Sequence, residues 1–243
     1  MAGENFERQE NGITKAVDGA YRKNNKKPIT LIAGKVKVTG VVNANKYTGR
    51  QAGGSEPYTD VVISLQNKKQ LNLSCKGESA PSLAGGGLKG IELAIPGLAR
   101  SFFTKAHDHL LKNLKLKAGS KVPDIYGKIS LEDKMILAIG NKQMGGPIDF
   151  MYIGPMNVES KYDAKTGTLT LNGNLIPADE FARTHDLYFR LRARRIDQTF
   201  DPKAVDSSGT PKIYGKSPSK GDSAGRLVVT DSVPKNAVII QIS

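Results

Sequence analysis

The sequence predicts an α/β fold, with α+β as the alternative: a mixed sheet flanked by helices, running into a β-rich C-terminal portion. Three observations lead there. An amphipathic helical period occupies residues 5–22, and short strand-like segments separated by turn signals follow it. Helical periodicity then returns from about 91 to 117 before a second series of short strands.

The first helix is marked by Phe6, Ile13, Val17 and Tyr21 on one side and is closed by the Asn-Asn-Lys-Lys-Pro run at 24–28. Segments 29–33 and 35–42 flank Gly34. Segments 59–65 and 70–76 are joined by a polar turn at 66–69 and read as a hairpin. A Gly/Ser/Pro-rich loop covers 77–90. In the long helix Leu98, Phe102, Phe103, Leu110, Leu111 and Leu114 form the buried side, with a break at Pro96-Gly97. Residues 131–139 fit helix or strand, and 148–153 reads as a strand. A hairpin-like turn over 162–168 precedes a strand at 169–171. Segment 187–195 alternates as a strand, and 226–230 and 237–242 close the chain. These elements suggest a core over 1–160 and a β-rich extension of the same domain over 161–243, with a flexible basic loop at about 201–225.

Composition narrows the partners. The chain has 36 Lys and Arg against 23 Asp and Glu, a formal charge of +13 over 243 residues. Such an excess attracts polyanions and speeds encounter with them, so DNA is the expected partner. No apolar run approaches the roughly 20 residues that span a bilayer, and the N-terminus lacks a secretory pattern. One cysteine, Cys75, excludes an internal disulfide and a Cys-rich zinc site. A cytoplasmic protein with no membrane partner is expected. His107 and His109, two apart on a helix, point to different sides and make no shared metal site.

The chemistry-bearing candidates sit on the hairpin. Alternation puts Val61, Ile63, Leu71, Leu73 and Cys75 on one face, and Asp60, Ser74 and Lys76 on the other. Asp60 begins one strand and Lys76 ends the next, so an antiparallel turn brings them near each other. A carboxylate and an ammonium so placed suit phosphodiester hydrolysis. The carboxylate holds a divalent cation, and the ammonium orients water or meets the phosphate.

With Glu56-Pro-Tyr-Thr-Asp60 opening one strand and Ser74-Cys-Lys76 closing the next, the segment resembles the PD-(D/E)XK nuclease superfamily in a divergent Ser-X-Lys form. The resemblance spans roughly residues 5–115. It implies a restriction-endonuclease-like core and Mg²⁺ or Mn²⁺ as cofactor. It also implies catalytic roles for Asp60 and Lys76. Because Ser74 stands where the second acid usually lies, the resemblance implies that Glu92, from the following helix, substitutes for it, with Glu78 the nearer but less well-placed alternative. It further implies an acid from the first helix, Glu10 or Glu7. Similarity to phage-encoded proteins makes the host cytoplasm or the virion the expected location.

Two further features point to nucleic acid. Tyr188, Arg190, Arg192 and Arg194 share one face of a strand whose other face carries Phe189, Leu191 and Ala193. A basic strand with an aromatic end can track phosphates, or it can pair with acids at a subunit interface. The Gly-rich segment 84–90, with Lys89, can bring backbone N–H groups to an anion or serve as a linker.

The leading functional expectation is a metal-dependent DNA endonuclease or a DNA-binding descendant of one. The alternative is a non-catalytic phage virion component, a head or neck protein with a basic face toward DNA or neighbouring copies. A homo-oligomer or a larger viral assembly is expected in either case.

Overall fold

The computed structural model describes residues 2–49, 57–78, 82–83, 87–113, 124–191, 203, 205, 216–217, 221–222, 227–230 and 233–242. From the N-terminus, helix α1 (Ala2–Lys23) leads to strands β1 (Ile29–Ala33), β2 (Val36–Lys46), β3 (Val61–Leu65) and β4 (Gln70–Gly77). Then come β5 (Ser82–Leu83), α2 (Gly87–Ala94), α3 (Leu98–Asn113), β6 (Ile125–Lys128) and α4 (Leu131–Ile139). Strands β7 (Phe150–Gly154), β8 (Ser160–Asp163), β9 (Thr168–Leu171) and β10 (Asn174–Pro177) precede α5 (Ala178–Thr184). The chain ends in β11 (Tyr188–Leu191), β12 (Lys216–Ser217), β13 (Gly221–Asp222), β14 (Leu227–Thr230) and β15 (Val238–Gln241). The fold is mixed α/β, as the sequence predicts.

The chain forms two compact units, each drawn from two separate stretches. The first comprises 1–81 and 138–184, the second 82–137 and 185–243. Residues 161–184, placed by sequence with the C-terminal extension, thus complete the first unit, and 82–137 belong to the second.

The first unit is an eight-stranded mixed sheet in the order β10-β7-β4-β3-β2-β1-β9-β8. Strands β1 to β4 form an antiparallel meander. Its flanks are extended by parallel partners, β9 beside β1 and β7 beside β4. Helix α1 packs on one face. Ile13, Val17 and Ala20, spaced by four and three, fall on one helical stripe and are buried against Leu31, Val41, Ile63, Leu73 and Leu169. The face of β3 and β4 toward α1 carries Val61, Ile63, Leu71, Leu73 and Cys75, as alternation predicts.

The second unit holds a five-stranded sheet in the order β15-β6-β11-β14-β5. Phe102 from α3 lies over it, 5.4 Å from Phe189 of β11 at 33° between rings, and Phe103 meets Phe102 edge-on at 6.3 Å. Gly127 permits this approach. A Cβ there would stand 2.6 Å from the Phe102 ring and 2.8 Å from Ile242. Helices α2 and α3 break at Pro96-Gly97 as expected, and segment 131–139 resolves as helix. No helix among the described residues is long and apolar enough to cross a membrane.

Candidate functional site at one end of the first sheet

Asp60 stands where β3 begins. Val61 faces Leu73 across the β3–β4 ladder, and the Asp60 amide, one residue outward, donates to the Leu73 carbonyl at 2.8 Å. Before Asp60 the chain leaves the ladder: the Tyr58 amide donates to Met144, and the Thr59 hydroxyl to the Gly145 carbonyl. The Cys75 N–H therefore has no strand carbonyl to meet, and the Asp60 carboxylate takes that place. Asp60 Oδ2 accepts from Cys75 N at 2.6 Å and from Ser74 Oγ at 3.2 Å. A charged acceptor makes this cap stronger than a backbone carbonyl would. Lys76, two residues beyond Ser74, shares its strand face and pairs in register with Ile153 of β7.

A helix acid comes to the same end. Glu10 Oε2 lies 2.9 Å from Lys46 Nζ. Lys46 ends β2 opposite Val61, and the next amide, Tyr47 N, donates to the Asp60 carbonyl at 2.9 Å. Burial raises the Glu10 pKa; the Lys46 hydrogen bond opposes that, and the Asp60 charge adds to it. Lys46 is in turn pushed above its ordinary value by its bond to Glu10. Burial pushes the Cys75 thiol well up, Asp60 pushes the same way, Lys76 opposes, and Glu10 adds a smaller rise. Buried and pushed toward its protonated form, Cys75 is a core residue and not a nucleophile.

Two participants escaped the sequence reading. Lys46 was hidden because its partner depends on the irregularity in β2 between Val41 and Asn43, which sets the register. Gln9 is fully buried. Its Nε2 donates to Gly154 O at 2.8 Å, Lys76 O at 3.2 Å and Pro155 O at 3.3 Å. It thereby ties α1 to the β4–β7 junction and fixes the turn of helix that carries Glu10. A polar residue beside an apolar stripe was the available signal.

Glu92 belongs to the second unit, where its two carboxylate oxygens accept from Gly97 N at 2.6 Å and Arg100 N at 2.9 Å. It caps the N-terminus of α3, satisfying amides that lack an intrahelical partner. Glu78 follows β4 and is exposed, as is Glu7 on α1. Lys89 lies within α2, and its side chain is outside the described residues. Arg190 holds Asp124 Oδ2 through Nε at 2.8 Å and Nη2 at 2.6 Å, with its guanidinium 5.9 Å from the Tyr126 ring centroid. Tyr188 is half-buried, and β11 is an interior strand between β6 and β14. Arg192 and Arg194 lie outside the described residues.

Among the described residues no three of His, Cys, Asp and Glu gather as a metal-binding group. The donors at this end are the carboxylates of Asp60 and Glu10, with the Ser74 hydroxyl beside them. That set suits Mg²⁺, which keeps several waters and takes one or two protein carboxylates. It does not suit a cation caged wholly by protein. Comparison with protein-family models, curated proteins and solved structures finds no match to this chain.

Proposed function

We propose that the protein handles DNA through a nuclease-type site in which Asp60 and Glu10 hold Mg²⁺ or Mn²⁺ and Lys76 meets the scissile phosphate. The observation that supports this reading is the meeting of Asp60, held on Cys75 N and Ser74 Oγ, with the end of β2 that carries the Glu10–Lys46 pair, through Tyr47 N donating to the Asp60 carbonyl. When bound, the cation offsets charge developing on the phosphate and acidifies a water. Asp60 is oriented for this by the Cys75 amide and the Ser74 hydroxyl, so Ser74 serves as a positioning donor where a second acid would otherwise stand. Glu10, not Glu92, is the second carboxylate of this proposal. Lys46 neutralises Glu10 in the absence of a cation and exchanges to solvent or phosphate when one binds.

Supercoiled plasmid incubated with the protein should be nicked or linearised with Mg²⁺ or Mn²⁺ and left intact with EDTA. The non-catalytic virion reading has its own observation: among the described residues β15 is an edge strand of the second sheet, with Ile239 48% exposed. Intact plasmid under every divalent metal, together with a discrete oligomer in sedimentation, would favour that reading.

Proton linkage gives a second expected result. A carboxyl must lose its proton to bind a cation, and Glu10 holds its proton to higher pH than an ordinary glutamate. Mn²⁺ affinity, followed by electron paramagnetic resonance, should therefore rise with pH through that elevated pKa. Glu10→Gln should weaken binding and remove this part of the pH dependence. A pH profile identical in wild type and Glu10→Gln would take Glu10 out of the site.

A further inference from the structure

The lysines that look dispersed along the sequence are gathered by the fold at the opposite end of the first unit. Three turns meet there. The α1–β1 turn and the β8–β9 turn are joined by Thr30 N donating to Gly167 O at 3.0 Å, and a Cβ on Gly167 would touch Asn24 at 3.3 Å. The β3–β4 turn lies level with them, because Ile29 faces Val41 and Val41 faces Leu65 across adjacent ladders. At about 4.8 Å per strand, Ile29 and Leu65 are only about 10 Å apart. Together these turns present Arg22, Lys23, Lys26, Lys27, Lys68, Lys69 and Lys165, all exposed.

The acids in the same segments are Asp18 and Asp163. Asp18 pairs with Arg22 at 2.9 Å. Asp163 accepts from Lys165 N and Thr166 Oγ1, each at 2.9 Å, and so fixes its own turn. Among the described residues, none of the six lysines is in an ion pair. Lys26 and Lys68 also have left-handed backbones, with φ of 58° and 67°. Glycine or asparagine would adopt that conformation at lower cost. Lysine thus stands at the tips of two turns where the backbone favours another residue.

We propose that this three-turn lysine cluster is the surface on which the protein anchors a nucleic-acid backbone; the proposal rests on the DNA reading above but not on cleavage. A cluster of unpaired ammonium groups with no aromatic platform and few acids suits contact with successive phosphates, which adds affinity without reading sequence. The cluster and the Asp60 end are separated along β2 by the stretch from Val41 to Lys46, about 17 Å at strand rise. A duplex lying along the unit can span both, held at one end and presented at the other.

The test compares wild type with a variant carrying Gln at Lys23, Lys26, Lys27, Lys68, Lys69 and Lys165. Binding to a labelled duplex is followed by fluorescence anisotropy over a salt series. Each lost phosphate contact should flatten the log K against log salt slope by about 0.9. The expectation is a change of about 2.7 or more and at least a hundredfold loss of affinity at low salt. A double variant, Lys26→Gly with Lys68→Gly, keeps favourable backbones; it should hold or raise Tm and still weaken binding, which separates charge from folding. Wild-type binding with an unchanged slope in the sixfold variant overturns this surface and leaves the DNA reading standing. Wild type that ignores DNA but binds phosphatidylserine vesicles through the same lysines, or binds neither, overturns the DNA reading itself.

Discussion

Asp60→Asn is expected to slow Mg²⁺-dependent strand cleavage by more than about a hundredfold while the protein stays folded. The substitution keeps an oxygen where Cys75 N needs an acceptor, so the amide is not orphaned. It removes the negative charge that draws the cation. Loss of electrostatic stabilisation at a reacting centre of this kind is worth about 3–4 kcal/mol, which is the stated factor and more. Asp60→Ala is the less informative variant. It would strip the acceptor from a buried N–H, at a cost of about 1–3 kcal/mol, and mix a folding defect into the kinetics. Rates come from single-turnover cleavage, and circular dichroism checks the fold. Equal rates for wild type and Asp60→Asn would remove Asp60 from the chemistry.

Phe189→Ala should carry the largest stability loss in the second unit, about 3–5 kcal/mol. Phe189 is fully buried, its ring lies against Phe102, and it sits on the central strand of its sheet. Truncation leaves a cavity between two rigid surfaces, since Gly127 on the neighbouring strand offers no side chain to fill it. Against total stabilities of roughly 5–15 kcal/mol, that is a large fraction. Tyr188→Ala, on the opposite and half-open face, should cost much less. Urea denaturation of the two variants measures the contrast, and equal midpoints would contradict the assignment of faces on β11.

Alternation on β11, β3 and β4 was legible because a two-residue period needs no knowledge of partners. The α1 stripe was legible for the same reason at helical period. Segment 131–139 was ambiguous by period alone, yet Ser130 with Asp133 three residues on is a helix-start signature, and Asp133 N indeed donates to Ser130 Oγ at 3.1 Å. Strand β8, Ser-Lys-Tyr-Asp at a sheet edge, carries three exposed side chains and so had no hydrophobic signal to read. The interleaving of two units was also beyond the sequence, since nothing in 82–137 marks it as an excursion from one sheet into another.

The site was half legible. Asp60, Ser74 and Glu10 could be named from strand ends and helix period. The placing of Glu10 on Lys46 at the end of β2 depends on the register of that strand and on Gln9 holding α1, both set by long-range contacts. Glu92 illustrates the converse. Its place in the helix after the hairpin suggested a substitute for the second acid; across the Pro96-Gly97 turn its carboxylate accepts from the next helix's amides. The basic strand gave a similar lesson: Arg190 is turned to Asp124 and Tyr126, and the exposed lysines that gather do so only through the sheet's ladders.

The proposal that Asp60 and Glu10 hold a cation in support of DNA cleavage can be checked in one side-by-side measurement. An end-labelled duplex is incubated in excess protein with Mg²⁺, Mn²⁺ or EDTA, using wild type, Asp60→Asn and the sixfold lysine variant at protein concentrations that saturate binding. Wild type should cut with either metal and not with EDTA. Asp60→Asn should leave the DNA bound but uncut, and the lysine variant should cut once binding is saturated. Wild type that saturates the duplex and leaves it whole in both metals would contradict the proposal.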